Sequence, residues 1–436
     1  MTRKVVTSIL ATVLFLACGP SKAPGQTRDF SPRSDEEQLP TAMHSKMAEL
    51  PRITVGKANA DMTGDSNRVL QAAVDYVANL GGGVVEIGEG EYTMYDSLHL
   101  RPHVTIRGVK DKTILRKAKG VASPLALDGD FGEQQVTLQN PDGFTVGSGI
   151  AVWDKGAGGF HTTVARITGR RENTFSFDKP LGADCMVANG AQAATVFPVV
   201  SVYYTEGVRI ENLTIDGNKQ ANVPLNGCRG AGIFLYQGFG TTISGCVVRN
   251  YNGDGISFQQ SNDVTVTDCI SEDNAVLGIH PGSGSQRPTV RNCVARRNGT
   301  DGLFLCWRVR HGVFEQNVLE QNGEFGISIG HKDSDNILRH NIVRQNKQHG
   351  VFFRNETLGM APHRNRLEEN TIENNGGAEI RIRGEVNDLV FVKNTIRDTQ
   401  DESAPGILIE EKVGQVNLQD NTIQTKVQIE DKRKSK

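Results

Sequence analysis

Asn298-Gly-Thr-Asp-Gly302-Leu303, Asn322-Gly-Glu-Phe-Gly326-Ile327 and Asn346-Lys-Gln-His-Gly350-Val351 write one pattern three times, 24 residues apart. Upstream, Asn250 and Asn274 extend the Asn register at that spacing, while Gly232-Ile233, Gly255-Ile256 and Gly278-Ile279 extend the Gly register in steps of 23. A third register holds Cys246, Cys269, Cys293, Asn317 and Asn341, then runs less evenly through Asn370, Asn394 and Asn421. Its members close short alternating stretches such as Val264-Thr-Val-Thr-Asp-Cys269. A period this short, with no helical pattern inside it, holds two or three short strands and their turns. Such a unit cannot bury its own apolar face, so successive units must stack into a solenoid. The Leu ladder of a leucine-rich repeat is absent, which leaves a parallel β-helix. Corresponding residues then lie about 4.8 Å apart, and the Cys/Asn register becomes a stack of small buried side chains. A disulfide ladder fits less well, because three cysteines cannot pair completely.

Composition agrees. Gly is abundant at 48 residues, aromatic residues make 6% and apolar residues only 37%, as expected of many short strands joined by turns. Lys plus Arg number 48 against 50 Asp plus Glu, a net charge of −2. That excludes nucleic-acid binding through bulk positive charge and an acidic disordered chain. At the N-terminus, Arg3 and Lys4 precede an apolar run, Val5 to Ala17, too short to span a bilayer. Leu14-Phe15-Leu16-Ala17-Cys18 resembles a bacterial lipobox, from which Phe15 and Leu16 depart. The expectation is a signal peptide over 1–18, with Cys18 as lipid anchor or plain cleavage as the alternative, and a flexible tether over 19–48. The protein is then exported: periplasmic, outer-membrane-anchored or extracellular.

Ahead of the repeats, Asp65 or Ser66 is placed to cap a helix whose Val69, Leu70, Ala73, Val74, Val77 and Leu80 share one face. Gly81-Gly-Gly83 ends it. Together, Asp61-Met-Thr-Gly-Asp65, Gln71-Ala72-Ala73, Gly81-Gly-Gly-Val-Val85, Gly88-Glu-Gly-Glu-Tyr92 and Val104-Thr-Ile-Arg-Gly108 resemble the opening of pectate-lyase-like right-handed β-helix proteins. The resemblance covers roughly residues 50–425. It implies an all-β, right-handed parallel β-helix solenoid with an N-terminal capping helix. It leaves the reaction open, because that superfamily hosts polysaccharide lyases, polygalacturonase-type hydrolases and tailspikes. The expected organisation is cap and first coils over 49–120, an inserted β-rich segment over 121–200, repeats over 201–427 and a charged tail over 428–436.

In a repeat array the informative residues are those that the repeat does not require. Period-two alternation sends Ile256, Ile279, Leu303, Ile327 and Val351 inward. It leaves His280, Trp307, Arg308, His331, Lys332, Arg354 and Glu356 on one outer face over four coils, a groove suited to an anionic or neutral sugar chain. β-Elimination needs a cation at a uronate carboxylate and a base for the adjacent proton. In the β-helix lyases that the chain resembles, a Lys and an Arg of neighbouring coils supply the cation. That resemblance gives Lys332 and Arg354 this role, His331 or His280 that of acid or base, and Glu356 that of a carboxylate holding Arg354 or a cation. An epimerase acting at the same carbon shares this chemistry. The full lyase motifs are not present. The first alternative is an inverting hydrolase using Asp254, Asp301 or Glu356, of which Asp254 and Asp301 share a register two coils apart, with Asp333 as a further carboxylate or a substrate contact. The Leu277 and Phe325 that fill the same register between and beyond them suggest an inward position. The second alternative is a non-catalytic carbohydrate-binding surface protein. A polysaccharide or oligosaccharide is the expected partner of a monomeric chain, with no metal site read, no cofactor required and calcium left open. Trp153 and His161, in the inserted segment, are expected to overhang the groove.

Overall fold

The computed structural model describes residues 49–156, 159–400 and 404–433, which belong to one compact unit beginning at Glu49. The signal, tether and Cys18 expectations lie outside the described residues. Three long sheets of parallel strands, with 13, 11 and 11 members, wrap a single core. Each coil contributes one strand to each, as in Thr265–Thr267, Ile270–Glu272 and Ile279–Gly282. Successive strands pair in register with their counterparts one coil on, Val266 with Val290 and Val290 with Phe314. This is the right-handed parallel β-helix that the repeat implies, and no helix among the described residues is long and apolar enough to cross a membrane.

Two bends per coil explain the polar registers. At the first, a residue with positive φ (Asp268, Asn292, Gln316, His340) turns the chain. The next residue, Cys269, Cys293, Asn317 or Asn341, points into the bend and is buried. At the second bend Asn274, Asn298, Asn322 and Asn346 do the same, each Nδ2 donating to the Oδ1 of the next coil at 2.8–3.0 Å. These ladders satisfy backbone and side-chain groups that no water reaches. One register shifts. Asn250 occupies the positive-φ turn position, and Tyr251 fills the buried place, its amide donating to Asn274 Oδ1 at 3.0 Å. The coil there is 23 residues long, so the spacing of 24 from Asn250 to Asn274 joins two different rows. The cysteines at 185, 228, 246, 269, 293 and 306 are free and buried.

The cap is the helix Asn67–Asn79, burying Leu70, Ala73, Val74 and Val77. Ser66 takes the N-cap position without a side-chain capping bond. The inserted segment forms a six-stranded antiparallel sheet, from Ala122–Pro124 to Gln192–Ala194, with a core of its own. The segment expected to be a solvated charged tail begins instead as a strand: Val427–Asp431 pairs parallel with Pro405–Ile409 and ends the third sheet. Its alternating Val427 and Ile429 provide the strand pattern that the neighbouring charges obscure.

Candidate functional site

The first two sheets show water ladders of opposite charge one coil apart: Arg296 with Glu272, Arg339 with Glu315, Arg344 with Glu320. These pairs are half-buried, the arginines toward solvent and the carboxylates largely covered. The third sheet departs from this. Its strands Asp254–Gln259 and Ile279–Gly282 are buried at every residue, outward-facing positions included. One outward row runs through Ser201, Phe234, Ser257 and His280, and continues as Phe304, Ser328, Phe352 and Arg381. A second runs through Tyr203, Tyr236, Gln259, Gly282 and Cys306.

His280 is 3% exposed. Its Nδ1 lies 2.7 Å from Asp254 Oδ2, and its ring meets Phe304 edge-on at 5.3 Å. Burial alone would lower the imidazole pKa. The bond to Asp254 overcomes that and raises it to about 9. Asp254 also accepts from the Leu277 amide at 3.2 Å. The loop at Gly227 closes over it, so closely that a Cβ on Gly227 would stand 1.6 Å from the carboxylate.

Arg354 reaches back across two coils. Its Nη1 donates to Ser328 Oγ at 2.9 Å, and its Nη2 to the Leu305 carbonyl at 2.7 Å and Asp333 Oδ2 at 3.2 Å. The guanidinium lies 4.4 Å over Phe304. Gly330 makes this path open: a Cβ there would lie 2.3 Å from Arg354 Nε. Asp333 was expected at the substrate surface, but it is 0% exposed. Its carboxylate is turned under the sheet edge by the amides of Val309 and Gly330, and burial pushes its pKa up to about 7 against the pull of Arg354.

The accessible edge belongs to His331. Its ring stacks on Trp307 at 5.3 Å and 15°, and its Nε2 lies 3.2 Å from Glu356 Oε1. Burial, then Arg354, lower this imidazole below its ordinary value, against Glu356. Trp307 is 41% exposed, and Arg308 is exposed beside it. Lys332 shares this edge with no side-chain hydrogen bond or ion pair to the cluster among the described residues; its amide donates to the Met360 carbonyl at 2.6 Å.

Asp254 and Asp301 lie on the outer side of the sheet, not inside the coil, yet both are buried. Asp301 accepts from the Phe325 amide at 3.2 Å, and burial pushes its pKa up to about 7. His280, Trp307, His331 and Arg354 thus meet on one face, with Asp254, Asp333 and Asp301 beneath it. Sequence reasoning passed over Phe304, Cys306, Ser328 and Gln259 as site members, and an outer stack of Phe325, His349 and Phe352 with centroids 4.4–5.8 Å apart. The signal was there in Phe304 and Phe352, large apolar residues that alternation turns outward, whereas Phe325 falls in the register read as inward. Trp153 packs beside Ala151, Ala194 and Val196 at the foot of the insert, whereas His161 lines a cavity at the start of the face.

Four buried polar atoms on this face have no hydrogen-bond partner: His280 Nε2, His331 Nδ1, Arg354 Nε and Gln259 Oε1. Buried orphans of this kind are uncommon, and here they gather at one place. Among the described residues no three His, Cys, Asp or Glu side chains group to hold a metal ion.

A family model described as "Right handed beta helix region" matches residues 198–359, and the chain has the right-handed parallel β-helix superfamily fold. The Azotobacter vinelandii mannuronan C-5 epimerase AlgE4 A-module is similar at 15% identity and TM-score 0.53, over 86% of this chain and 97% of that one. The AlgE6 A-module of the same organism is similar at 15% identity and TM-score 0.51, over 84% and 94%. No curated protein sequence matches the chain.

Proposed function

We propose that this chain is an exported carbohydrate-active enzyme, a polysaccharide lyase that cleaves a uronate-containing glycan by β-elimination on the outer face of the third sheet. The observation that carries the reading is the pair of carboxylate-held histidines with opposite tendencies on one outer face. Environments that push two titratable groups apart divide acid from base. His331, its imidazole lowered below the ordinary value, is the base for the proton on the carbon beside the carboxylate, with Glu356 next to its Nε2. The electron pair left behind expels the glycosidic oxygen, which the same imidazole reprotonates. His280, held charged by Asp254, and Arg354 supply the positive field that makes the proton acidic, with Lys332 and Arg308 at the rim to meet the carboxylate. Trp307 offers a ring face to a sugar. No cofactor is needed in this reading.

A second reading, epimerisation at the same carbon, draws on the printed names of the two solved structures and needs a second proton donor on the opposite face of the sugar. His280, two strands from His331 and three residues earlier in the register, would have to supply it. The hydrolase reading loses support because Asp254 and Asp301 are buried and bonded to backbone or imidazole. The test is a panel of uronate-containing and neutral polysaccharides. Ultraviolet absorbance gain with reducing ends indicates β-elimination, and His331→Ala then abolishes it. Solvent deuterium at the epimerised carbon without cleavage indicates the second reading. Reducing ends without absorbance overturn both in favour of hydrolysis, and binding alone leaves a carbohydrate-binding surface protein.

A further inference from the structure

At the start of the same outer face lies a cavity of about 450 Å³, separate from the histidine cluster. Tyr203, Tyr204 and Tyr236 form its floor, with centroids 5.4–6.5 Å apart. The insert supplies the wall: Phe160 and His161 from one turn, Lys179 from another, the ammonium 4.1 Å over the Tyr203 ring. Arg229 completes it and donates from Nε to the Phe160 carbonyl, which ties the insert to the loop that covers Asp254. The insert is anchored just ahead of the first strand of this sheet, Leu98–His99, Arg166 Nε lying 3.3 Å from Asp96 and the Gly149 amide donating to the Tyr95 carbonyl. It therefore stands at the N-terminal end of the face, and the face runs from the cavity toward His280 and His331.

We propose that this cavity is a distal subsite that binds an acidic pyranose unit of the glycan, its ring on the tyrosines and its carboxylate against Lys179 and Arg229. Aromatic faces with cations beside them match a sugar that carries both an apolar C–H face and a negative charge. The wall made by the insert gives the groove an end. Register pairing sets the distance: Tyr236 pairs with Gln259, Gln259 with Gly282, and Gly282 with Cys306. Gly330, beside His331, is one coil further. Four strand spacings, about 19 Å, separate the cavity from the proposed base. An extended chain advances about one sugar per coil, so a glycan that fills both places has about five sugars. The proposal rests on the reading of this face as a glycan site, and it assigns a length threshold to it.

The test uses the full chain, acidic oligosaccharides of defined length and the variants Tyr236→Ala and Lys179→Met. Wild type shows kcat/KM rising steeply between four and six sugars. Each variant lowers the rate on hexamers about tenfold and leaves trimers within a factor of two. Activity that is independent of length, or hexamer rates untouched by both variants, overturns the subsite while the catalytic reading stands. If no oligosaccharide is turned over, calorimetric titration with the same hexamers decides separately: binding weakened by Tyr236→Ala sustains the subsite, and unchanged or undetectable binding overturns it. Unaltered circular dichroism and melting temperature show that each variant is folded.

Discussion

Replacing Asp301 by Asn removes a charge that the fold holds at a cost. The carboxyl is 3% exposed, and burial moves its pKa from 3.8 to about 7. The sign follows from proton counts. Between these two values the folded chain holds a proton that the unfolded chain has lost, so the stability tied to this group is complete below pH 3.8. It falls as the pH rises through 7. At about 1.4 kcal/mol per pH unit, the ionised group costs on the order of 4 kcal/mol at pH 8. Relaxation and water penetration reduce the net effect to about half of that. Asn keeps the acceptor for the Phe325 amide and cannot ionise. Scanning calorimetry of wild type and Asp301→Asn at pH 8 and pH 5 is the assay. The expected result is a melting temperature higher by about 2–3 °C at pH 8 and by less than half as much at pH 5. No gain at pH 8, or a gain that does not shrink at pH 5, refutes the reasoning. The same variant retains catalysis if Asp301 is not a hydrolytic carboxylate.

Asn322→Ala should be among the costliest single changes. It strands the Asn298 amide and the Ala295 carbonyl, at about 1–3 kcal/mol each, and takes one of two partners from Asn298 Nδ2 and Asn346 Oδ1. Denaturant titration should show a loss of at least about 2 kcal/mol, and a loss under about 1 kcal/mol contradicts the ladder's role. If His280 must be charged, kcat/KM falls as pH rises through about 9; Asp254→Asn removes the charge that holds the proton and brings that limb down by more than one pH unit, whereas an unmoved limb separates His280 from the reaction. Trp307→Ala should raise KM about tenfold with kcat within a factor of two, as loss of a stacking platform requires; a fall in kcat alone would place Trp307 elsewhere in the chemistry. Lys117 is buried against Phe197 and donates to the Thr195 carbonyl at 2.9 Å, and burial lowers its pKa to about 7. Between pH 7 and 10.5 the unfolded chain holds the extra proton, so wild-type stability rises with pH. Lys117→Met flattens that rise in urea midpoints measured at pH 7 and 9.5; an unchanged slope assigns it to other groups.

The period of 23–24 residues, the Gly-aliphatic steps and the Cys/Asn rows were sufficient for the architecture, because a unit too small for its own core has only stacking open to it. Period-two alternation likewise assigns His280, Trp307, His331 and Arg354 to one face. Side-chain direction within that face was not legible. Sequence spacing carries no information on how a loop such as the one at Gly227 folds over Asp254, or on how Arg354 bends back over Gly330 to Leu305 and Asp333. Local spacing also misjoined Asn250 to Asn274, since one 23-residue coil shifts the row by a residue while the pattern looks unbroken. The aromatic cavity draws on residues 160, 179, 203, 229 and 236, whose separations share no period; only the docking of the insert on the first coils brings them together. Repeat chemistry is local and recurs, so it reads directly from sequence. Burial, and with it the opposite shifts of His280 and His331, depends on what covers a side chain, which tertiary structure alone decides.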